Sequence, residues 1–417
     1  MAKVTEFYLK RHAANVFRDG LKEVPPLLAT AVPPQLPNPA AVTAVHAMLL
    51  KAQRPVIVIG SQAVRATGVS ALAAAVETLG VPVYLSGMAR GLMGRGHPLQ
   101  MRHKRGVALA KADFVLLAGV PMDFRLEYGR GINKAAYLCL VNLSADTLKT
   151  NSDLRRANAR VLGDAHSFLT TLSQLAAADK KQWAEWIKFL TAQCAKRDAE
   201  IDAMIATETK AKPVLGPAKP GAAGAGEAKT FVHPVYLCKQ IDLHLADDAV
   251  VVGDGGDFVG TAAYVVQPRG PLQWLDPGVF GTLGVGGGFA LGARMARPTA
   301  EVWIIYGDGA SGWSLVEFDT YVRMRLPVIA VIGNDACWSQ MYRDQVRLLS
   351  DDVATELAYT HYETVAEGFG AVGILVTRNE DVAPALKRAK ELFRQGKPVL
   401  INALISRSAF REGSISL

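Results

Sequence analysis

The chain of 417 residues is half hydrophobic and only 20% charged, which supplies apolar surface for two or three domains and excludes wholesale disorder. Its net charge of +8 is dispersed and no aromatic residues interleave with the basic clusters, so no nucleic-acid partner is expected; these residues read as a solvated face, or as attraction for phosphate-bearing ligands or an anionic membrane surface. Cys139, Cys194, Cys238 and Cys337 are too scattered for a zinc site, redox pair or disulfide framework, no apolar run reaches the roughly 18 residues of a membrane helix, and the N-terminus lacks a signal-peptide core, so the chain reads as soluble, without a membrane span.

A short amphipathic stretch opens the chain. The proline-rich segment 23–40 (EVPPLLATAVPPQLPNPA) follows, extended because proline fixes φ and removes a donor. Residues 1–40 are therefore expected to form an N-terminal connector. Over 41–175 helical and strand patterns alternate: the helix AAVTAVHAMLLKA, the strand Pro55–Gly60, then VPVYLS, DFVLLAG and YLCLVNL. Continuous β-branched runs suit a parallel sheet covered on both faces. Residues 176–204 read as a helix, and the Ala-, Gly-, Pro- and Lys-rich run 205–230 as a flexible linker, giving a linking region over 176–230. From 231 to 417 a second α/β pattern carries the strands AVVVGDGG, EVWIIYGDG, PVIAVIGND, GILV and PVLINALI. The expected fold is α/β: two doubly wound parallel-sheet domains joined by a flexible linker.

The strongest chemical signal is Gly307-Asp308-Gly309, separated by 24 residues from Asn334-Asp335. A buried strand ends at the first motif, a helix (SLVEFDTYVRMR) crosses over, and a parallel strand ends at Asn334, a βαβ unit of ordinary size. Both polar tips then lie on the edge where open α/β sheets bind ligands. Asp308 and one of Asn334 or Asp335 offer hard oxygens suited to magnesium, which shares its shell with phosphates. Gly307 and Gly309 let backbone N–H groups approach an anion, and the following helix aims its N-terminus there. A Gly-Asp-Gly alone is a common tight turn; the spacing, the crossover and the terminal Asn-Asp favour a ligand. The run GVGGGFALG fails as a dinucleotide fingerprint, because Phe289 stands where the fingerprint requires its final Gly or Ala and no strand precedes it.

Gly-Asp-Gly, about 25 residues, then Asn-Asn is the motif of the acetolactate synthase superfamily of thiamine diphosphate enzymes, which this chain resembles. Gly253 to Arg294, ETLGVP, GMARGLMGR, DFRLEYGR and the terminal REGSISL are also similar to members of that family. The resemblance implies thiamine diphosphate and Mg2+ as cofactors. It makes Asp308 a magnesium ligand, with Asn334 or Asp335 as the second and a backbone carbonyl near Ala336 or Cys337 as the third. Asp335 departs from the family's second Asn, which leaves the choice between the pair open. Gly281-Thr282-Leu283-Gly284 matches the family's Gly-Thr-Met-Gly. That makes Leu283 the apolar wedge that bends the cofactor, and the Gly281 carbonyl an acceptor for its aminopyrimidine. Gly256, Asp257, Phe258, Gly307, Gly309, Ala310 and Ser311 fall at the diphosphate end. The loop GSQAVRATG is a candidate site for ADP or FAD.

The family's catalytic glutamate comes from a separate pyrimidine-binding domain. Nothing before residue 41 is long enough for one, so no catalytic residue is expected in this chain, and the sequence reads as an incomplete product of a longer gene or as a short form needing a partner. The resemblance implies a lyase that cleaves 2-hydroxyacyl-CoA to an aldehyde and formyl-CoA. The alternatives are an acetolactate synthase-type carboligase of 2-oxo acids and a catalytically incomplete cofactor-binding or interaction subunit. It further implies a homodimer or tetramer and, for a full-length relative, the endoplasmic reticulum membrane.

Overall fold

The computed structural model describes residues 2–18, 20, 33–65, 67–175, 180–208 and 231–413. Residues 21–32 of the expected connector, 176–179 and 209–230 of the expected linking region, and the last four residues of REGSISL lie outside the described residues. The amphipathic start is a helix, Ala2–Val16, exposed along its described length, within a unit of its own that ends at Pro34. Residues 35–417 form one compact unit containing two sheets.

The first sheet comprises β1 (Pro55–Ile59), β2 (Val83–Leu85), β3 (Phe114–Ala118), β4 (Tyr137–Asn142) and β5 (Ala159–Leu162). All pairs are parallel, in the order β2-β1-β3-β4-β5. β1 and β3 are buried at every position, as their unbroken apolar runs require. The covering helices have ordinary start and stop signals. Asn38 accepts from the Ala40 amide before Pro39–Lys51, Asp164 accepts from the Ser167 amide before Ala165–Gln174, and Gly80 ends Val69–Leu79 in the left-handed conformation.

The second sheet comprises β6 (Val250–Gly253), β7 (Trp274–Leu275), β8 (Val302–Gly307), β9 (Ile329–Asn334), β10 (Val372–Val376) and β11 (Val399–Leu404). It is also all parallel, in the order β10-β11-β9-β8-β6-β7. β8, β9 and β11 are wholly buried. The two parallel α/β sheets are those expected. β5, in which only Val161 is buried, and the two-residue β7 were not.

The long helix lies at Ala184–Glu208, preceded by a short turn at Lys180–Trp183. Trp183 and Trp186 donate their indole N–H groups to the carbonyls of Ala52 and Pro55 and join the cores under the first sheet, whereas Ile201 is buried in the core of the second. Among the described residues no helix is long and apolar enough to cross a membrane.

Candidate functional site

In the second sheet the chain runs from β6 to β7 on one side, then to β8 on the other. The carboxyl ends of β6 and β8 thus flank a topological switch point, where such sheets leave a crevice. Both ends read Gly-Asp-Gly: 253–255 and 307–309. They touch through backbone. The Gly307 amide donates to the Gly255 carbonyl at 3.0 Å, and a Cβ on Gly307 would lie 2.9 Å from that oxygen.

Asp308 is buried at the start of a single helical turn, Asp308–Ser311. Its two carboxylate oxygens accept from the Gly309 amide at 2.7 Å and the Cys337 amide at 3.1 Å. Asp335, at the end of the neighbouring β9, is also buried and accepts from the Ser339 hydroxyl. Burial raises the pKa of both carboxyls, and that of Asp335 is raised further by Asp308. They line one wall of a cavity of about 240 Å³.

The structure separates Asn334 from Asp335. Asn334 does not line the cavity: its amide nitrogen donates to the Thr360 carbonyl and the Asn402 side chain, both at 3.2 Å, and its oxygen accepts from the Ala336 amide. Strand alternation sends adjacent side chains to opposite sides, and Asp335 takes the cavity side. The Gly307 and Gly309 amides, expected to approach an anion, are instead engaged within the protein. Gly309 makes room, since its Cβ would meet the Trp338 ring at 2.4 Å. The crossover is also reshaped. The main helix starts at Glu317, because 312–316 is held as a turn by Ser314, which bonds Tyr306 and the Gly287 amide.

Of the other expected residues, Gly256, Asp257, Phe258, Gly281, Leu283, Gly307, Gly309 and Ala310 line the cavity; Ser311 is buried beneath it, its hydroxyl donating to the Asp308 carbonyl. Asp257 is paired with Arg343 through two contacts of 2.6 and 2.8 Å, which offsets its charge. Phe258 lies over Gly333, where a Cβ would sit 2.3 Å from its ring.

Leu283 stands where this cavity adjoins a second of about 200 Å³; Gly256, Gly281 and Gln340 line both as well. The second is closed by Ser86, Gly87, Phe124 and Arg125 of the first sheet's region. Asp254, fully buried, holds the Leu283 loop by accepting from the amides of Gly284 at 2.9 Å and Gly286 at 2.6 Å. Sequence reasoning missed Asp254, Ser339 and Gln340. Only Asp254 carried a signal, the second strand-end Gly-Asp-Gly.

In the GSQAVRATG loop, Ser61 accepts from Met88, Gln62 bonds Asn142 and the Leu143 amide, and Arg65 pairs with Asp164. The Ser61, Gln62 and Arg65 side chains are thus each engaged within the protein.

The cavity fits a diphosphate held through a divalent cation. Two desolvated carboxylates facing one space are costly without a cation between them. Among the described residues no three His, Cys, Asp or Glu side chains gather as a metal cluster. A cation here would draw its remaining oxygens from backbone, water and phosphate, the habit of magnesium.

Residues 42–172 match the central domain of the thiamine pyrophosphate enzymes, and residues 254–403 their C-terminal TPP binding domain. The chain is 44% identical over 428 residues to 2-hydroxyacyl-CoA lyase 2 of Mus musculus and 43% over 424 residues to that of Homo sapiens, in both cases over 100% of this chain. It is 34% identical to an acetolactate synthase large subunit of Mycobacterium tuberculosis, over 89% of this chain. The chain spans 63% of the length of each of these relatives. A thiamine diphosphate-dependent 4-hydroxybenzoylformate decarboxylase of Rhodococcus jostii RHA1 has the same fold, with a TM-score of 0.69 at 19% identity, over 91% of this chain and 67% of that one. The chain belongs to the thiamine pyrophosphate enzymes, of which it carries the central and the C-terminal cofactor-binding domain.

Proposed function

We propose that the full-length protein is a magnesium- and thiamine diphosphate-dependent lyase that cleaves 2-hydroxyacyl-CoA to an aldehyde and formyl-CoA. The observation that carries this reading is the buried Asp308–Asp335 pair at the β6/β8 switch point, in a chain aligned along its whole length with 2-hydroxyacyl-CoA lyase 2 proteins. Bound there, thiamine diphosphate supplies an electron sink for the pair released when the carbon–carbon bond breaks. Asp308 and Asp335 present the hard oxygens for Mg2+, with the Cys337 carbonyl as the backbone ligand; Asn334 supports them from behind. Gly256, Asp257, Phe258, Ala310 and Ser311 shape the diphosphate end, and Arg343 keeps Asp257 from repelling it. Leu283, held by Asp254, is the apolar wedge, and the Gly281 carbonyl is the acceptor for the aminopyrimidine. No residue of this chain is assigned as the catalytic base. Assembly as a homodimer or tetramer and residence at the endoplasmic reticulum membrane are carried over from the family resemblance.

The likeness to an acetolactate synthase subunit favours a second reading, a carboligase of 2-oxo acids.

Calorimetric titration of thiamine diphosphate, with and without magnesium, tests the site. Magnesium-dependent binding that disappears in Asp308→Ala is expected; binding indifferent to both magnesium and Asp308 overturns the assignment. Offering the loaded full-length protein 2-hydroxyacyl-CoA or pyruvate then separates the readings. Formyl-CoA supports the first and acetolactate the second.

A further inference from the structure

We propose that Asn402, in the middle of β11, is a positioning residue for the cation site: it fixes Asn334, and through it the strained turn that sets Asp335 and Cys337 around Asp308. The inference rests on the cation reading above and adds residues outside the ligand set.

The turn is strained at Ala336, whose φ of 52° is left-handed and unfavourable for a residue with a Cβ. Ala336 separates Asp335, which lines the cavity, from Cys337, whose amide donates to Asp308 at 3.1 Å. A relaxed Ala336 would move both. On one side the Leu357 amide holds the Ala336 carbonyl at 2.8 Å. On the other, the Asn334 side-chain oxygen accepts from the Ala336 amide at 3.3 Å.

That second bond requires the Asn334 oxygen, not its nitrogen, to face Ala336. The choice is made remotely. Glu363 is buried, and a carboxylate only accepts. The Asn402 nitrogen must therefore face it, and donates at 2.6 Å. That turns the Asn402 oxygen towards Asn334, whose nitrogen donates to it at 3.2 Å. The Thr360 carbonyl accepts from both amide nitrogens, at 3.0 and 3.2 Å, and enforces the same orientation. Asn334 and Asn402 have no solvent exposure, so water cannot substitute for a lost partner. Apolar side chains at these two positions would fill the space at lower desolvation cost. The polar chain transmits a direction, from Glu363 to the Ala336 amide.

The test uses the purified full chain with saturating thiamine diphosphate. It reads the magnesium concentration for half-saturation by calorimetry, and the melting temperature without magnesium. Asn402→Asp faces Glu363 with a second carboxylate and should weaken magnesium binding roughly tenfold or more. Combining it with Glu363→Gln restores one donor opposite one acceptor. This pair should recover wild-type affinity to within roughly threefold, well inside the single variant's loss. Unchanged magnesium affinity in Asn402→Asp overturns the inference. A paired variant that melts like the wild type but stays weak overturns it too, and the paired variant decides the matter if the single one does not fold. Wild-type cofactor binding without magnesium dependence would instead sink the cation reading, and this inference with it.

Discussion

The two sheets share one plan and use it differently. In each, the first strand has its successor on one side and the third strand on the other, so each has a switch point at its carboxyl edge. In the first sheet that edge is filled. A Cβ on Gly60 would lie 2.4 Å from the Gly119 carbonyl, one on Gly119 would lie 2.8 Å from the Ala63 amide, and Gln62 bonds across to Asn142 and Leu143. In the second, Gly255 and Gly307 also meet, but next to them two carboxylates face a cavity. Topology supplies a crevice in both; side chains decide which becomes a binding site.

The comparison can be broken by matched substitutions. The largest effect is expected for Asp308→Ala, which should lower magnesium-dependent cofactor affinity roughly 100-fold or more in calorimetry. The apo chain should melt no lower, since a buried charge is removed. Gly255→Ala comes next. Its Cβ would approach the Leu283 side chain to 2.2 Å and displace it, so affinity should fall on the order of tenfold if Leu283 shapes the cofactor as proposed. The counterpart Gly60→Ala meets backbone rather than a movable side chain, and should cost about 1–3 kcal/mol in denaturant unfolding without altering cofactor binding. If Gly60→Ala weakens cofactor binding as much as Gly255→Ala does, the two edges are not independent. Asp254→Asn loses one of two charge-assisted bonds to the Leu283 loop. It should cost about 1.5–3 kcal/mol at most and reduce affinity measurably. The smallest effect belongs to Gln62→Ala, about 1 kcal/mol of stability.

Much of this was legible in the sequence for a physical reason. Strands buried on both faces leave unbroken apolar runs, and the strand-end motif at Asp308 has a spacing set by the crossover. β7 was illegible because two residues, Trp274 and Leu275, carry no period. Asp335 could be told from Asn334 only through strand alternation and the partners that Asn334 finds on β11. Ser339 and Gln340 acquire their positions from the turn at Ala336, whose left-handed φ an alanine does not announce.

The helix Ala184–Glu208 has a consequence for the chain's covalent continuity. With the turn that precedes it, it plants Trp183 and Trp186 in the two cores of the first sheet and Ile201 in a core of the second, before residue 209 is reached. The two halves are thus held together by an element whose first turns pack in the first half and whose later turns pack in the second. Residues 1–208 and 231–417, made as separate polypeptides in one cell, should find each other and copurify, with Ile201 as the plug and the second core as its socket.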